Sequence, residues 1–304
     1  MNSKIAKVLS LLLALLVALT MCNIAVSADS KASADYSLSL ALQGEIMVTF
    51  RVSNLRDGSG NPESNPSRFK VEYTYNGVTK TKTLTNASEN VLVVAKCAAK
   101  DLDKTVNVTV YYDDAVIHYV NRSAMECCVD YVDDPYVSEK LRNLCDSMLT
   151  FAGASQARFN KYPTIYGWSI PDTTITGVTV ASVHQEDYVA ENIRASLVLE
   201  SKTKLKIYFD SYDSDVVVKV NDKKATVIPT EFGGYYIAIP NISITDLDKT
   251  YTVDFYEYGE TEPGTTLTYS PLSYLERMQN DDIERDICKA MYNYYVAAEA
   301  YIAD

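Results

Sequence analysis

A five-residue motif, Asp-Leu-Asp-Lys-Thr, occurs twice in this chain of 304 residues, at positions 101–105 and again at 246–250. Three further pairs of segments match in the same order: 39–50 with 196–209, 71–76 with 216–221, and 145–157 with 288–300. Matched blocks in one order indicate two tandem copies of a single domain, each of about 110–130 residues. The chain must therefore use one domain plan twice.

Short runs rich in Val, Ile, Tyr and Thr fill the first part of each copy, and turn residues separate them. Such alternating runs are typical of an antiparallel sandwich. In the first copy we predict strands at 37–42, 47–53, 69–75, 78–83, 91–95, 105–112 and 116–120. In the second copy we predict strands at 196–200, 204–209, 216–221, 225–229, 235–239, 250–258 and 265–269. Seven strands in each copy favour an immunoglobulin-like sandwich.

After the strands, the spacing of apolar residues becomes helical in both copies. Ser270 followed by Pro271 predicts a helix start, because Ser caps a helix and Pro fits its first turn. Asp134 with Pro135 predicts the same for the long helix of the first copy. We therefore predict an α+β chain of two tandem immunoglobulin-like antiparallel β-sandwich modules, each with a C-terminal helical hairpin packed on it.

The same patterns give the predicted boundaries. A signal peptide at 1–28 precedes the first module at 29–160, a linker at 161–191 and the second module at 192–304. Within the linker, residues 174–183 alternate like a strand, so they belong either to the linker or to the second module.

The first 28 residues read as a secretory signal peptide. Lys4 and Lys7 precede an apolar run at 8–21, and small residues at 26–28 form a cleavage site after about Ala28. The apolar run is shorter than the roughly 20 residues that a membrane-spanning helix needs. We therefore expect a mature chain that is secreted or held at the extracellular surface, with no transmembrane segment.

The chain is acidic, with 28 Lys and Arg against 40 Asp and Glu and a net charge of −12. Loss of the two lysines in the leader makes the net charge −14. This balance argues against nucleic acid as a partner, since phosphate backbones are recognised by basic patches.

Five cysteines remain after the leader: Cys97, Cys127, Cys128, Cys145 and Cys288. An odd number leaves at least one thiol unpaired in each monomer. Cys145 and Cys288 hold equivalent positions on the apolar sides of predicted helices, where a thiol serves as a small buried hydrophobe. A disulfide from Cys97 to Cys127 or Cys128 is left open.

The helical ends at 144–159 and 287–302 share one pattern. The first reads Leu-Cys-Asp-Ser-Met-Leu-Thr-Phe-Ala-Gly-Ala-Ser-Gln-Ala-Arg-Phe. This resembles the tail Leu-Cys-x-x-Met-Leu-x-Tyr-Gly-Ala-Ala-Ala-Gln-x-Tyr-Phe of a tandem repeat domain in exported and surface proteins of anaerobic Gram-positive gut bacteria. The resemblance implies export and a β-sandwich followed by a helical tail. It implies no catalytic residue.

The sequence offers little catalytic chemistry. Its two histidines, His118 and His184, have no Ser or Cys partner in a recognisable motif, and no phosphate-binding glycine loop is present. We therefore predict an exported, non-catalytic binding or surface-interaction protein whose partner is a polysaccharide or a surface protein. Two alternatives are kept: a secreted hydrolase that acts on polysaccharide through paired carboxylates, and a structural spacer.

Tyrosine is the one excess in the composition, with 24 Tyr against 7 Phe and one Trp. Tyr162, Tyr166 and Trp168 cluster in the predicted linker, and aromatic faces stack on sugar rings. We take these three as the candidate ligand-binding residues. The competing interpretation is that Trp168 only fills the junction between the domains.

Asp210, Asp213 and Asp215 alternate with Ser and Tyr in a loop between two predicted strands. Carboxylate oxygens are the ligands that calcium takes, so these three form the candidate metal site. The loop lacks the glycine and the terminal glutamate of an EF-hand, which favours a solvated turn instead. The sequence indicates no other cofactor.

Overall fold

The structure, a computed structural model, describes residues 32–41, 46–159, 164–165, 167–176, 181–185, 189–199, 203–211 and 215–303. The predicted signal peptide lies outside these residues. The chain divides into two compact units, unit 1 at Met1–Leu149 and unit 2 at Thr150–Asp304.

Unit 1 contains two antiparallel sheets. Its strands are β1 Ser33–Ala41, β2 Ile46–Arg56, β3 Phe69–Tyr75, β4 Val78–Thr83, β5 Glu89–Cys97, β6 Thr105–Tyr112 and β7 Ala115–Ser123. One sheet has the order β1-β2-β5 and the other β4-β3-β6-β7. Helix α1 spans Ala124–Asp133, and helix α2 spans Glu139–Phe159, so the division between the units falls inside α2.

Unit 2 also contains two antiparallel sheets. Its strands are β8 Ala181–Gln185, β9 Glu191–Leu199, β10 Thr203–Asp210, β11 Val217–Val220, β12 Lys223–Lys224, β13 Ile228–Pro229, β14 Tyr235–Ile242, β15 Tyr251–Tyr256 and β16 Thr265–Tyr269. Helices α3 Pro271–Met278 and α4 Arg285–Ile302 follow. The sheets have the orders β13-β14-β10-β9 and β12-β11-β15-β16-β8, so β8 extends the second sheet at one edge. The predicted α+β class with antiparallel sheets is confirmed.

The strands bury one face of each sheet. In β6, Val106, Val108 and Val110 are buried, and the residues between them are partly exposed. Phe50 of β2 and Phe69 of β3 are also buried in unit 1. Full burial of each such side chain contributes about 1.5–3 kcal/mol. The alternation along each strand therefore decides which face joins the core.

The repeated Asp-Leu-Asp-Lys-Thr motif forms a turn that is hydrogen-bonded to the first turn of a helix later in the chain. Its leucines, Leu102 and Leu247, are fully buried. The carbonyl of Leu102 accepts a hydrogen bond from the N–H of Met125 at 2.9 Å, and that of Leu247 accepts one from Leu272 at 2.9 Å. The first N–H groups of a helix have no partner inside the helix. The motif satisfies one such group at the start of α1 and one at the start of α3.

The two predicted helix starts have different outcomes. Ser270 caps α3, since its Oγ accepts the N–H of Ser273 at 3.2 Å, and Pro271 is the first helical residue as predicted. The predicted start of the long helix at Asp134 is wrong. The N–H of Asp134 donates to the carbonyl of Asp130, so this residue closes α1. The long helix begins at Glu139 instead.

The predicted strand at 225–229 is also wrong. Residues 225–227 form no strand, and only 228–229 do, as β13, which pairs with β14. The short strand β12 precedes them at 223–224 and pairs with β11 in the other sheet. Unit 1 keeps the corresponding β4 on β3 over six residues, all of them exposed. In unit 2, Val227 and Ile228 are apolar and partly buried. The hydrophobic effect favours their turning inward, which carries the chain across to the other sheet.

Two buried glutamines fasten part of the predicted linker to helices of unit 2. The Oε1 of Gln156 accepts the N–H groups of Thr164 and Ile165, both at 2.8 Å. The Oε1 of Gln279 accepts the N–H of Ile175 at 2.7 Å, and its Nε2 donates to the Ile175 carbonyl at 2.7 Å. Ile165 and Ile175 are buried. Thr164, Ile165 and Ile175 are therefore held against the helices by specific hydrogen bonds.

Gly153 provides a test of this packing. The Trp168 ring lies so close to Gly153 that a Cβ at this position would overlap ring atoms. We expect Gly153→Ala to lower the free energy of unfolding of unit 2 by about 1–2 kcal/mol, because overpacking outweighs the better helix propensity of Ala. Urea denaturation followed by the fluorescence of Trp168, the one tryptophan in the chain, measures the change.

Gly58→Ala is the matched control, since no atom lies within 4 Å of a Cβ built at Gly58. Equal unfolding midpoints for the Gly153 and Gly58 variants would contradict the close packing of Trp168 on α2.

Candidate functional site

A cavity of about 580 Å³ opens in unit 2 beside β11. We call it the β11 groove, and it is lined by Asp215, Val216, Val217, Val218, Lys224, Ala225, Thr226, Val227 and Tyr258. Its volume lies within the range of about 300–1,000 Å³ that is typical of ligand sites. The groove is therefore the candidate functional site.

The groove exists because the chain leaves β11 early. The N–H of Ala225 donates to the carbonyl of Val218 at 2.8 Å. Beyond Ala225 the chain turns away and joins β14 at Ile228, so a gap separates 225–227 from the start of β11. The connection at 257–264 between β15 and β16 borders this gap with Tyr258, whose exposure is 76%.

The equivalent place in unit 1 is filled. There β4 continues along β3 as far as the pair Lys70 and Thr83. The two-residue hairpin at Asp113 and Asp114 replaces the long connection, and both residues have positive φ. The Arg68 guanidinium lies 4.2 Å from the centroid of the Tyr112 ring, and its Nε donates to Asp113 at 2.9 Å.

The lining of the β11 groove combines apolar walls with a few polar groups. Val216 and Val218 are buried in its floor, while Asp215, Lys224 and Tyr258 are exposed. Such a surface can bind by van der Waals contact, by stacking on one phenol ring and by hydrogen bonds. Among the described lining residues, Asp215 carries the one carboxylate, and none carries an imidazole or a thiol.

Of the three predicted aromatic candidates the structure describes Trp168, which is not among the described lining residues of the groove. Trp168 is partly buried, its ring packs on Gly153, and its Nε1 donates to the carbonyl of Ile165 at 3.1 Å. Tyr162 and Tyr166 lie outside the described residues. The indole N–H of Trp168 is thus already used inside unit 2.

Two of the three predicted metal ligands lie among the described residues. Asp210 accepts a hydrogen bond from the Nδ2 of Asn192 at 2.9 Å, and Asp215 lines the β11 groove. Asp213 lies outside the described residues. Among the residues that the structure describes, no group of three His, Cys, Asp or Glu side chains is placed to hold a metal ion.

The histidine in unit 1 has a packing role. The His118 ring stacks on the Tyr36 ring with 4.0 Å between centroids, and Phe50 lies next to this pair at 6.3 Å from His118. Burial lowers the pKa of His118. A neutral imidazole packed between strands of the two sheets explains this residue without any catalytic task.

The five cysteines among the described residues are free and buried. The thiol of Cys128 lies within hydrogen-bonding reach of Cys145, so the contact is between α1 and α2. The sequence left open a disulfide from Cys97 to Cys127 or Cys128. In the structure these thiols are free, and Cys97 contacts Tyr75. The sequence signal missed the proximity of Cys128 and Cys145 because it depends on how two helices pack.

Comparisons with known proteins add no family to this description, because the chain matches no family model and no curated protein. Among the described residues, no helix combines the length and the apolar character that crossing a membrane requires.

Burial of Cys288 predicts a specific pH dependence. Burial raises the pKa of its thiol to about 12, and nearby Glu284 adds to the shift. An unfolded thiol has a pKa of about 8.5, so above that pH unfolding releases a proton and rising pH favours the unfolded chain. Between pH 7 and pH 10 we expect Cys288 to cost unit 2 about 2 kcal/mol of unfolding free energy.

Urea denaturation under reducing conditions, followed by Trp168 fluorescence at pH 7, 9 and 10, measures this loss. In Cys288→Ala the decline with pH should be smaller by that amount. An identical decline in both proteins would show that the Cys288 thiol ionises in the folded state as easily as in the unfolded one.

Proposed function

We propose that this protein is an exported, non-catalytic binding protein that holds a glycan or a surface protein in the β11 groove of unit 2. The observation that carries the proposal is the groove itself, with its ligand-sized volume and the exposed Tyr258 at its border. Export is supported by the leader-like pattern at 1–28.

We further propose that the two units are immunoglobulin-like copies of one module. The matched sequence blocks, the shared strand order and the same leucine-to-helix hydrogen bond in both units support this duplication. Membership of the repeat family with the Leu-Cys-x-x-Met tail is also a proposal. Cys145 and Cys288 support it, since both are buried at equivalent positions of α2 and α4.

The two rival functions receive less support. Hydrolysis of a polysaccharide needs two carboxylates about 5–10 Å apart. The described lining of the groove supplies Asp215 as its one carboxylate. A pure spacer would have no use for a groove of this volume bordered by an exposed tyrosine.

Retention on insoluble material tests the proposal. The mature protein is incubated with insoluble polysaccharides and with cell-wall material, part of which has been treated with protease. We expect retention on at least one material and about tenfold weaker retention of Tyr258→Ala, since an exposed aromatic ring contributes about 1–3 kcal/mol when it is covered.

Tyr136→Ala is the matched control, because Tyr136 is 96% exposed and lies in unit 1. Protease treatment separates the two kinds of ligand, since only a protein partner is lost. Absence of retention on every material, or equal losses for the two tyrosine variants, would contradict a binding role for the groove.

A further inference from the structure

We propose that the β11 groove binds an extended polypeptide strand, which adds to the edge of β11 and completes the sheet. This inference rests on the proposed binding function and specifies the ligand as a cationic peptide segment of a partner protein. Addition of a strand to a sheet edge is an established mode of peptide recognition.

Unit 1 shows what the completed edge looks like. In its sheet, Thr81, Lys82 and Thr83 of β4 pair with residues 70–72 of β3. The same pairing begins in unit 2, where Val220 pairs with Lys223. It ends among the described residues at the hydrogen bond from Ala225 to Val218.

The register identifies the missing partner. Matching of Asn76 with Asn221 places residues 215–217 of unit 2 where residues 70–72 lie in unit 1. In unit 1 those three positions face β4, and in unit 2 they line the groove. The groove therefore occupies the place of three residues of strand, which span about 10 Å.

Main-chain groups of β11 face this place. The carbonyl of Val218 points toward the 225–227 side, where it accepts the Ala225 N–H. In an antiparallel sheet, residues two apart direct their N–H and C=O groups to the same neighbour. The N–H and C=O of Val216 are thus directed into the groove, where an added strand would bond to them.

The composition of the lining favours a peptide over a sugar. Four of its nine lining residues are valines, and Tyr258 supplies one aromatic ring. A peptide strand uses backbone groups for affinity and side-chain pockets for specificity. A sugar would draw on a larger set of polar side chains, since its hydroxyl groups need partners when buried.

The charges around the groove favour a basic strand. Asp215 lines it, and the exposed Glu257, Glu260 and Glu262 lie on the connection that carries Tyr258. Lys224 is the one cation among the described lining residues. The strand that fills the equivalent place in unit 1 reads Val-Thr-Lys-Thr-Lys-Thr, so the chain contains its own example of a suitable sequence.

A peptide derived from this chain serves as the probe. An acetylated and amidated peptide of residues 77–84, Gly-Val-Thr-Lys-Thr-Lys-Thr-Leu, is titrated into the full protein by isothermal calorimetry. We expect saturable binding. A peptide with Lys82→Pro loses the N–H that faces Val216 in this register and should bind at least tenfold more weakly. A peptide with Glu at positions 80 and 82 should also bind at least tenfold more weakly.

Protein variants locate the binding. Ala225→Trp places a large ring in the groove and should weaken binding of the probe at least tenfold. Lys80→Trp is the matched control, because it changes the equivalent position of unit 1, where β4 already lies on β3. It should leave binding unchanged. Circular dichroism compares the folding of both variants with that of the original protein.

Hydrogen exchange on the unmodified protein keeps the test independent of these variants. Saturation with the probe should slow amide exchange at Val216 at least tenfold, since its N–H is the one directed into the groove. No binding of the probe, unchanged exchange there, or equal binding to the proline peptide would overturn the strand-addition inference.

The two proposals fail separately. Retention of the protein on protease-treated polysaccharide, without binding of the peptide, would leave the binding function in place and remove strand addition. Absence of both retention and peptide binding would remove both.

Discussion

The structure of each unit depends on the burial of one face of each antiparallel sheet. The sheets can form a core only if their apolar residues alternate along every strand and their registers hold those residues on one side. In β6 this places Val106, Val108 and Val110 inside and polar residues between them. The buried turns at Leu102 and Leu247 hold carbonyl groups that accept N–H groups from the first turns of α1 and α3. The helical tails therefore depend on the sheets that precede them.

Much of this arrangement follows from local sequence. The strands of unit 1 were predictable because alternation and turn residues agree, as at Asp113 and Asp114, which adopt the positive φ of a tight hairpin. The start of α3 at Ser270 was predictable because the Ser cap and the proline act within one turn. The start of α2 was not, because Pro135 favours extended backbone at Asp134, which ends α1 there. The side chain that accepts an N–H at the start of α2 is that of Ser138, which bonds to Leu141.

The candidate site was much harder to predict. Residues 225–229 look like one strand, but only 228–229 form one, β13, and it lies in a different sheet from β12, which ends just before them at Lys224. A sequence pattern reports the local preference for extended backbone, whereas the choice of sheet depends on the distant partners β11 and β14. The one signal was a contrast between the two units: where β4 has exposed Lys82 and Thr83, the matched positions of unit 2 are Val227 and Ile228. Trp168, singled out for its chemistry, proved to be packed against Gly153.

The departure of the chain from β11 also affects the tendency of the protein to self-associate through its sheet edge. A sheet edge with available backbone is a template for self-association, and natural proteins guard such edges with lysine and proline. Here Lys223 and Lys224 stand at one end of the vacated edge, and Pro229 follows where the chain crosses to the opposite sheet. All three side chains are exposed. These flanking residues disfavour stacking of one molecule on another into fibrils.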